Sequence, residues 1–343
     1  MKKVYLLSTA HISAQQPLLE EWMNNPVIYN EDKVSAIDLN YKEYLAPNVA
    51  RRMGKLLKRA LVCARVALER ARVEMPDAII TATGLGCIEN TEFFLDAMVR
   101  DGENMLNPTP FMQSTHNTIG SSIALDLKCH GYNTHFSQKH VSFDCGLQDT
   151  IIQLQSKNIH TVLLNAHDEH SPIFDSILKH LNCWHFHDGG CKGEVAVSMV
   201  FTNQQNSTTL CCVEDMWMGY KPSVSNLQAE LKKILEHNQL NIIDIDAIFI
   251  GINGNKENDK LYLDYAEKLF PNLPLVRYKH LFGEHFTMSG MGFYVAATCL
   301  QQGKIPEHLH ITKDKHPKQV KNVLLYNHSE NKEHTMILLT NNK

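Results

Sequence analysis

No apolar run in the chain approaches the about 18–20 residues that cross a bilayer as a helix, so membrane insertion is not expected. A cationic excess is also missing. Lys and Arg number 33 against 37 Asp and Glu, and the net charge is −4 with His neutral, which argues against nucleic acid as the main partner. There is no Gly-Lys-Ser/Thr phosphate loop. Gly84-Leu85-Gly86 follows a strand-like segment as a dinucleotide turn would, but Glu89 stands where the third glycine is needed, so a tight turn is the better reading. Met1-Lys2-Lys3 starts like a signal peptide, yet the apolar stretch stops at Leu7, too early for an export segment. The nine cysteines are odd in number and scattered, which fits reduced thiols in cytosol rather than a disulfide framework.

What is present is an ordinary globular composition: 343 residues, 43% hydrophobic and 20% charged. At about 150 residues per domain this gives two domains or one large intertwined unit. Strand-like and helix-period segments alternate, which implies a largely parallel sheet covered on both faces. The apolar stripe over residues 48–73 predicts the longest helix; further helices are expected at 117–128, 144–156, 225–240, 258–270 and 289–302. Strands are expected at 4–8, 77–83, 160–165, 246–251, 323–326 and 335–340, with 194–203 and 208–217 as a strand pair. Asp77-Ala-Ile-Ile before Gly84 has an echo in Asp246-Ala-Ile-Phe before Gly251, 169 residues later. The echo suggests a duplicated half, with halves at 1–205 and 206–343 forming one unit.

Three clusters invite a chemical reading. Cys183, His185, His187 and Cys191 alternate along one segment and could hold Zn²⁺, although their spacing matches no common zinc module and a His-rich loop explains them as well. Arg51, Arg52, Lys55, Lys58 and Arg59 form a basic run, either a solvated face or a dock for an acidic partner. Pro108 to Asn117 reads as a stiff, proline-bounded loop entering a helix, with Ser114 or Thr115 as cap.

Several segments then line up, in order, with one family. Residues 108–124, Gly131-Tyr-Asn133, Asn165-Ala-His-Asp168-Glu169, Gly193-Glu194-Val-Ala196, the stretch from Phe249 through Gly254 to Asp259, and Lys279-His-Leu281-Phe-Gly283 with Gly290 together resemble the β-ketoacyl-[acyl-carrier-protein] synthases. The resemblance covers essentially the whole chain. It implies a five-layered αβαβα thiolase fold of two duplicated halves, a dimer interface around residues 108–137, and a carrier protein as the acidic partner of the basic run.

The catalytic positions of that family are not kept. The nucleophilic Cys falls on His140, the first His on Gly251 and the second on Glu284, beside His285; only Lys279 keeps its type. The glycine loop expected near the C-terminus appears as Tyr326–Asn331, without glycine. An imidazole does not form the stable thioester of a thiolate, and a glycine has no group with which to polarise a carbonyl. The resemblance is therefore to non-condensing, chain-length-factor-like subunits that pair with an active synthase, as beside aryl polyene and flexirubin-type pathways. Such a chain would have a ketosynthase partner, or itself as a homodimer, and no cofactor. His140 and Glu284 are expected to hydrogen-bond, raising the His pKa and lowering that of the Glu. Two alternatives stay open: an active synthase or acyltransferase with Cys145 as relocated nucleophile and His140, His116 or His285 as base, and a Zn-binding module.

Overall fold

The computed structural model describes residues 3–19, 21–103, 106–181, 190–312, 317 and 319–341. Its strands are β1 (Val4–Ile12), β2 (Ala78–Ala82), β3 (Tyr132–Phe136), β4 (Thr161–Asp168), β5 (Val195–Thr202), β6 (Cys211–Tyr220), β7 (Ala247–Ile250), β8 (Leu275–Arg277), β9 (Asn322–Ser329) and β10 (Glu333–Thr340). Its α-helices are α1 (Pro47–Ala50), α2 (Lys55–Ala71), α3 (Ile88–Asp101), α4 (Pro108–Ser114), α5 (Thr118–Leu127), α6 (Ser142–Gln155), α7 (Pro172–His180), α8 (Val224–His237), α9 (Lys256–Leu269) and α10 (Met288–Gln302).

The strand order is β3-β2-β4-β5-β1-β6-β10-β9-β7-β8. Read outward from the centre, β1-β5-β4-β2-β3 and β6-β10-β9-β7-β8 are the same pattern twice. Within each half the outer three strands are parallel and the inner pairings antiparallel. The halves join where β1 meets β6 over three residue pairs, Val4 to Leu6 against Cys211 to Val213. The echo in the sequence has a structural cause. Asp77 accepts from the backbone N–H groups of His160 and Thr161 at 2.8 and 2.9 Å, and Asp246 accepts from those of Lys321 and Asn322 at 2.7 and 2.9 Å. Each aspartate thus pins the start of its own strand to that of the next parallel strand.

Helices α6 and α10 lie between the two half-sheets and share one core with their inner faces. α10 is buried all round from Met288 to Leu300, as an interior helix must be. Helices α2 and α5 cover the outer face of the first half, and α8 and α9 that of the second. The result is five layers. Local chemistry sets the ends: Ser223 caps α8 through the N–H of Asn226, Asn255 caps α9 through Asn258, and Gly303 closes α10 at φ +68°.

Three expectations are corrected. The stripe at 48–73 is broken into α1 and α2, because the chain turns at residues 51–54 and α2 restarts behind Gly54. The segments near 194–203 and 208–217 are strands but not partners, since β1 lies between them. The segment from Pro108 is helix rather than loop: both prolines sit in the first turn of α4, where a missing N–H costs nothing, and Asn107 caps it through Thr109.

Candidate functional site

Two of the three positions aligned with the synthase triad, His140 and Glu284, come together near the start of α6. Lys139 takes a left-handed φ of +52°, turning the chain from β3 into α6. Ser142 locks this corner, its hydroxyl sharing its one proton between the carbonyls of Thr83 and Lys139, at 2.9 and 2.7 Å, and accepting from the N–H of Gln138. His140 on this corner, Asp144 one turn on, Lys279 and Glu284 after β8, Ser289 at the start of α10 and Asn327 and His328 on β9 surround one small cavity. It offers about 20 Å³ to the centre of a water-sized sphere. An acyl chain does not fit there. Phe286 also lines the cavity, packs tilted against the His140 ring with centroids 4.9 Å apart, and lies against Gly84, where a Cβ would stand 2.3 Å from its ring.

Glu284 is held by an ion pair. Lys279 Nζ lies 2.9 and 3.1 Å from its two carboxylate oxygens, and Asn253 Nδ2 donates to Oε2 at 2.6 Å. Burial pushes the Glu284 carboxyl up, but Lys279, with His140 and Asn253, outweighs it and keeps the group below its usual range. Asn253 is fixed by its own loop, where Asp259 accepts from the N–H groups of Asn253 and Gly254. His140 and Glu284 attract each other across the cavity, as expected, but Glu284 takes its hydrogen bonds from Lys279 and Asn253. His140 is lowered, not raised, because burial outweighs the pull of Glu284. The direction expected for Glu284 agrees; its main partner is Lys279.

Gly251 does not reach the cavity. A Cβ there would stand 2.3 Å from Tyr262 Oη and 2.8 Å from Asn327 Oδ1. The Tyr262 hydroxyl is anchored by the backbone of His328, and Tyr278 Oη donates to Asn327 Oδ1 at 2.7 Å. The room that a histidine would need is occupied by Tyr262 and Asn327, the latter held by Tyr278, none singled out from sequence. Asp144 was missed as well. Its Oδ2 accepts from Ser289 at 2.7 Å, and burial pushes its carboxyl up to about 6, only partly opposed by the Ser289 and Thr335 hydroxyls. The available signal was its place beside Cys145 in the first turn of α6.

His285 points away from a base role. It faces Asp168, which also accepts from the N–H of Gly84 at 2.8 Å and from the N–H and hydroxyl of Thr287, both at 2.7 Å. Asp168 thereby ties the turn after β2 to the entrance of α10. Burial raises its carboxyl, but the bonds from His285, Thr287 and Gly84 hold it below the usual range.

The remaining candidates separate. Cys145 is half-buried, does not line the cavity, and has a thiol raised by burial and by Asp144. Cys183, His185 and His187 lie outside the described residues. Cys191 is buried with its thiol pushed up to about 11, by burial first and then Glu284. Among the described residues no three His, Cys, Asp or Glu side chains are grouped to hold a metal. Of the basic run, Arg51, Arg52 and Lys55 are exposed and Lys58 half-exposed. Arg59 is a correction: it is buried, bidentate to Asp38 at 2.8 and 3.1 Å and bonded to Glu194 at 3.0 Å. It faces inward on α2 and belongs to the framework.

Residues 20–245 match the family described as "Beta-ketoacyl synthase, N-terminal domain". No curated protein matches the sequence. Among solved structures, the chain is similar to the ishigamide ketosynthase/chain length factor at TM-score 0.83 and 15% identity, with 100% of both chains covered. A β-ketoacyl synthase from Burkholderia phymatum STM815 gives 0.82 at 12% identity over 99% of each chain. The ketosynthase ApeO in complex with its chain length factor ApeC, from Xenorhabdus doucetiae, gives 0.81 at 12% identity over 99% of this chain and 98% of that one. Identities this low speak to fold alone; the family match spans most of the chain, which belongs to the β-ketoacyl synthase family and has its thiolase-like fold.

Proposed function

We propose that this member of the β-ketoacyl synthase family is a non-condensing, chain-length-factor-like subunit that pairs with an active ketosynthase and works on chains carried by an acyl carrier protein, in aryl polyene-type biosynthesis. The observation that carries this reading is the cavity at the former catalytic position. Its nucleophile position holds a neutral histidine, its second histidine position holds a carboxylate paired with Lys279, and its first is a glycine shut out by Tyr262. Condensation needs a thiolate and two groups that stabilise an enolate oxygen, and an anionic Glu284 opposes that charge. Structural likeness to a ketosynthase bound to its chain length factor supports the choice of partner. Arg51, Arg52 and Lys55 supply an exposed cationic surface for an acidic carrier protein.

The relocated-nucleophile reading is disfavoured by the raised thiol of Cys145 and by its absence from the cavity wall. The deciding experiment is turnover of malonyl- and acyl-loaded carrier protein by the purified chain, followed by intact mass. No product and no thioester adduct are expected. Product that disappears with Cys145→Ala would overturn the subunit reading. Substituting Gly251→His together with His140→Cys is expected to leave the chain inactive.

A further inference from the structure

Several buried polar atoms of the central cavity have no hydrogen-bond partner among the described residues. Asp144 is 1% exposed; Ser289 takes its Oδ2, and among the described residues Oδ1 has no partner within hydrogen-bond geometry, the Thr335 hydroxyl on the same cavity wall acting on the carboxyl but being itself unpaired in that geometry. Asn327 is 8% exposed; Tyr278 donates to its Oδ1, which fixes the amide orientation and leaves Nδ2 without an acceptor. His328, stacked on Tyr262 at 3.9 Å, leaves both ring nitrogens unused. Burial lowers His328 to about 3, so its ring is neutral and presents one donor and one acceptor. Buried polar groups are rarely left unpaired, each costing on the order of 1–3 kcal/mol.

The site's own chemistry selects the guest. It must accept from Asn327 and donate to Asp144. A cation would meet the ammonium of Lys279, and an anion would meet the carboxylates of Asp144 and Glu284. The guest is therefore neutral, with both donor and acceptor character. The space of about 20 Å³ compares with the roughly 10–15 Å³ one water needs. We propose that this cavity is a built water site, in which one or two resident waters bridge Asp144 on α6 to Asn327 and His328 on β9. The bridge joins the central helix of the first half to the sheet of the second. A reaction chamber has become a wet joint between the halves, independent of which partner the chain takes.

A high-resolution crystal structure of the full chain tests this, with a second crystal soaked in rubidium bromide. Expected are one or two ordered peaks within hydrogen-bond distance of Asp144 Oδ1 and Asn327 Nδ2, without anomalous signal from either ion. The peak contacting Asp144 should persist in Asp144→Asn and be lost in Asp144→Leu; if that variant does not fold, Asn327→Leu should lose its peak instead. A cavity without density, an anomalous peak inside it, or a peak unchanged in the leucine variant would overturn the proposal.

Discussion

Glu169 follows the last residue of β4 and is buried beside Glu89 and Glu194, with one hydrogen bond from the N–H of Glu89. Burial first, then the neighbouring carboxylates, pushes it up to about 8. The folded chain keeps a proton that the unfolded chain gives up near 4.5, so stability falls as pH rises from about 4.5 to about 8. Glu169→Gln is expected to raise Tm at pH 8 and leave it nearly unchanged at pH 4, read by thermal melts across that range. Arg59 is the opposite case, a buried charge that is fully paired. Arg59→Ala should cost about 3–5 kcal/mol in urea unfolding, because Glu194 would be left buried without its cation. Gly251→His should destabilise by at least about 1–3 kcal/mol, since Tyr262 and Asn327 hold the space. Sequence alone separated these residues poorly. Arg59 looked like one more member of a basic run, because a helix turns about 100° per residue and only the fold decides which of five neighbours faces inward.

At the level of elements, what the sequence made legible was what repeats locally. The apolar runs of β4 and β9 and the all-round apolar α10 were placed within a few residues. The α1–α2 break was hidden, because Val49 and Met53 continue the stripe of α2 while the chain between them turns. Helices α3 and α7 went unread. α3 buries none of its residues, so it has no apolar face with a core to announce it. Its apolar side chains are turned outward instead: Val99 is 85% exposed, Met112 on the adjoining α4 is 62%, and Phe94 meets Phe111 in a tilted ring contact at 5.2 Å. Such a surface is expected to be covered in a dimer burying more than about 2,000 Å² in total. Light scattering at micromolar concentration should report a dimer of this chain alone, or with its synthase, and Val99→Glu with Met112→Glu should shift it to monomer. The turn between α1 and α2 makes a second testable surface. Reversing Arg51, Arg52 and Lys55 to Glu should weaken carrier-protein binding roughly tenfold or more at low salt, with Tm unchanged.

Across the whole molecule, the duplication was visible in four residues of sequence and proves to be ten strands deep, but the site was legible only as a set of losses. Sequence positions named what had gone from 140, 251 and 284; they did not name Tyr262, Tyr278 or Asn327, which arrive from elements far apart in the chain and meet only on folding. The two ends of the sheet break the internal symmetry. β8 is three residues long and its outer side is taken by the chain itself, through a bridge from Val276 to His310 and a bond from Ile311 N–H to Leu275 O. β3 is five residues long and largely exposed, with β2 on one side only. A ten-stranded sheet with both ends open would be a monomer for fibre growth, each addition leaving a fresh end. With one end sealed, this molecule has a valence of one. Edge-to-edge addition through β3 is then expected to stop at two copies, so that a sheet long enough to seed a filament would end as a closed pair.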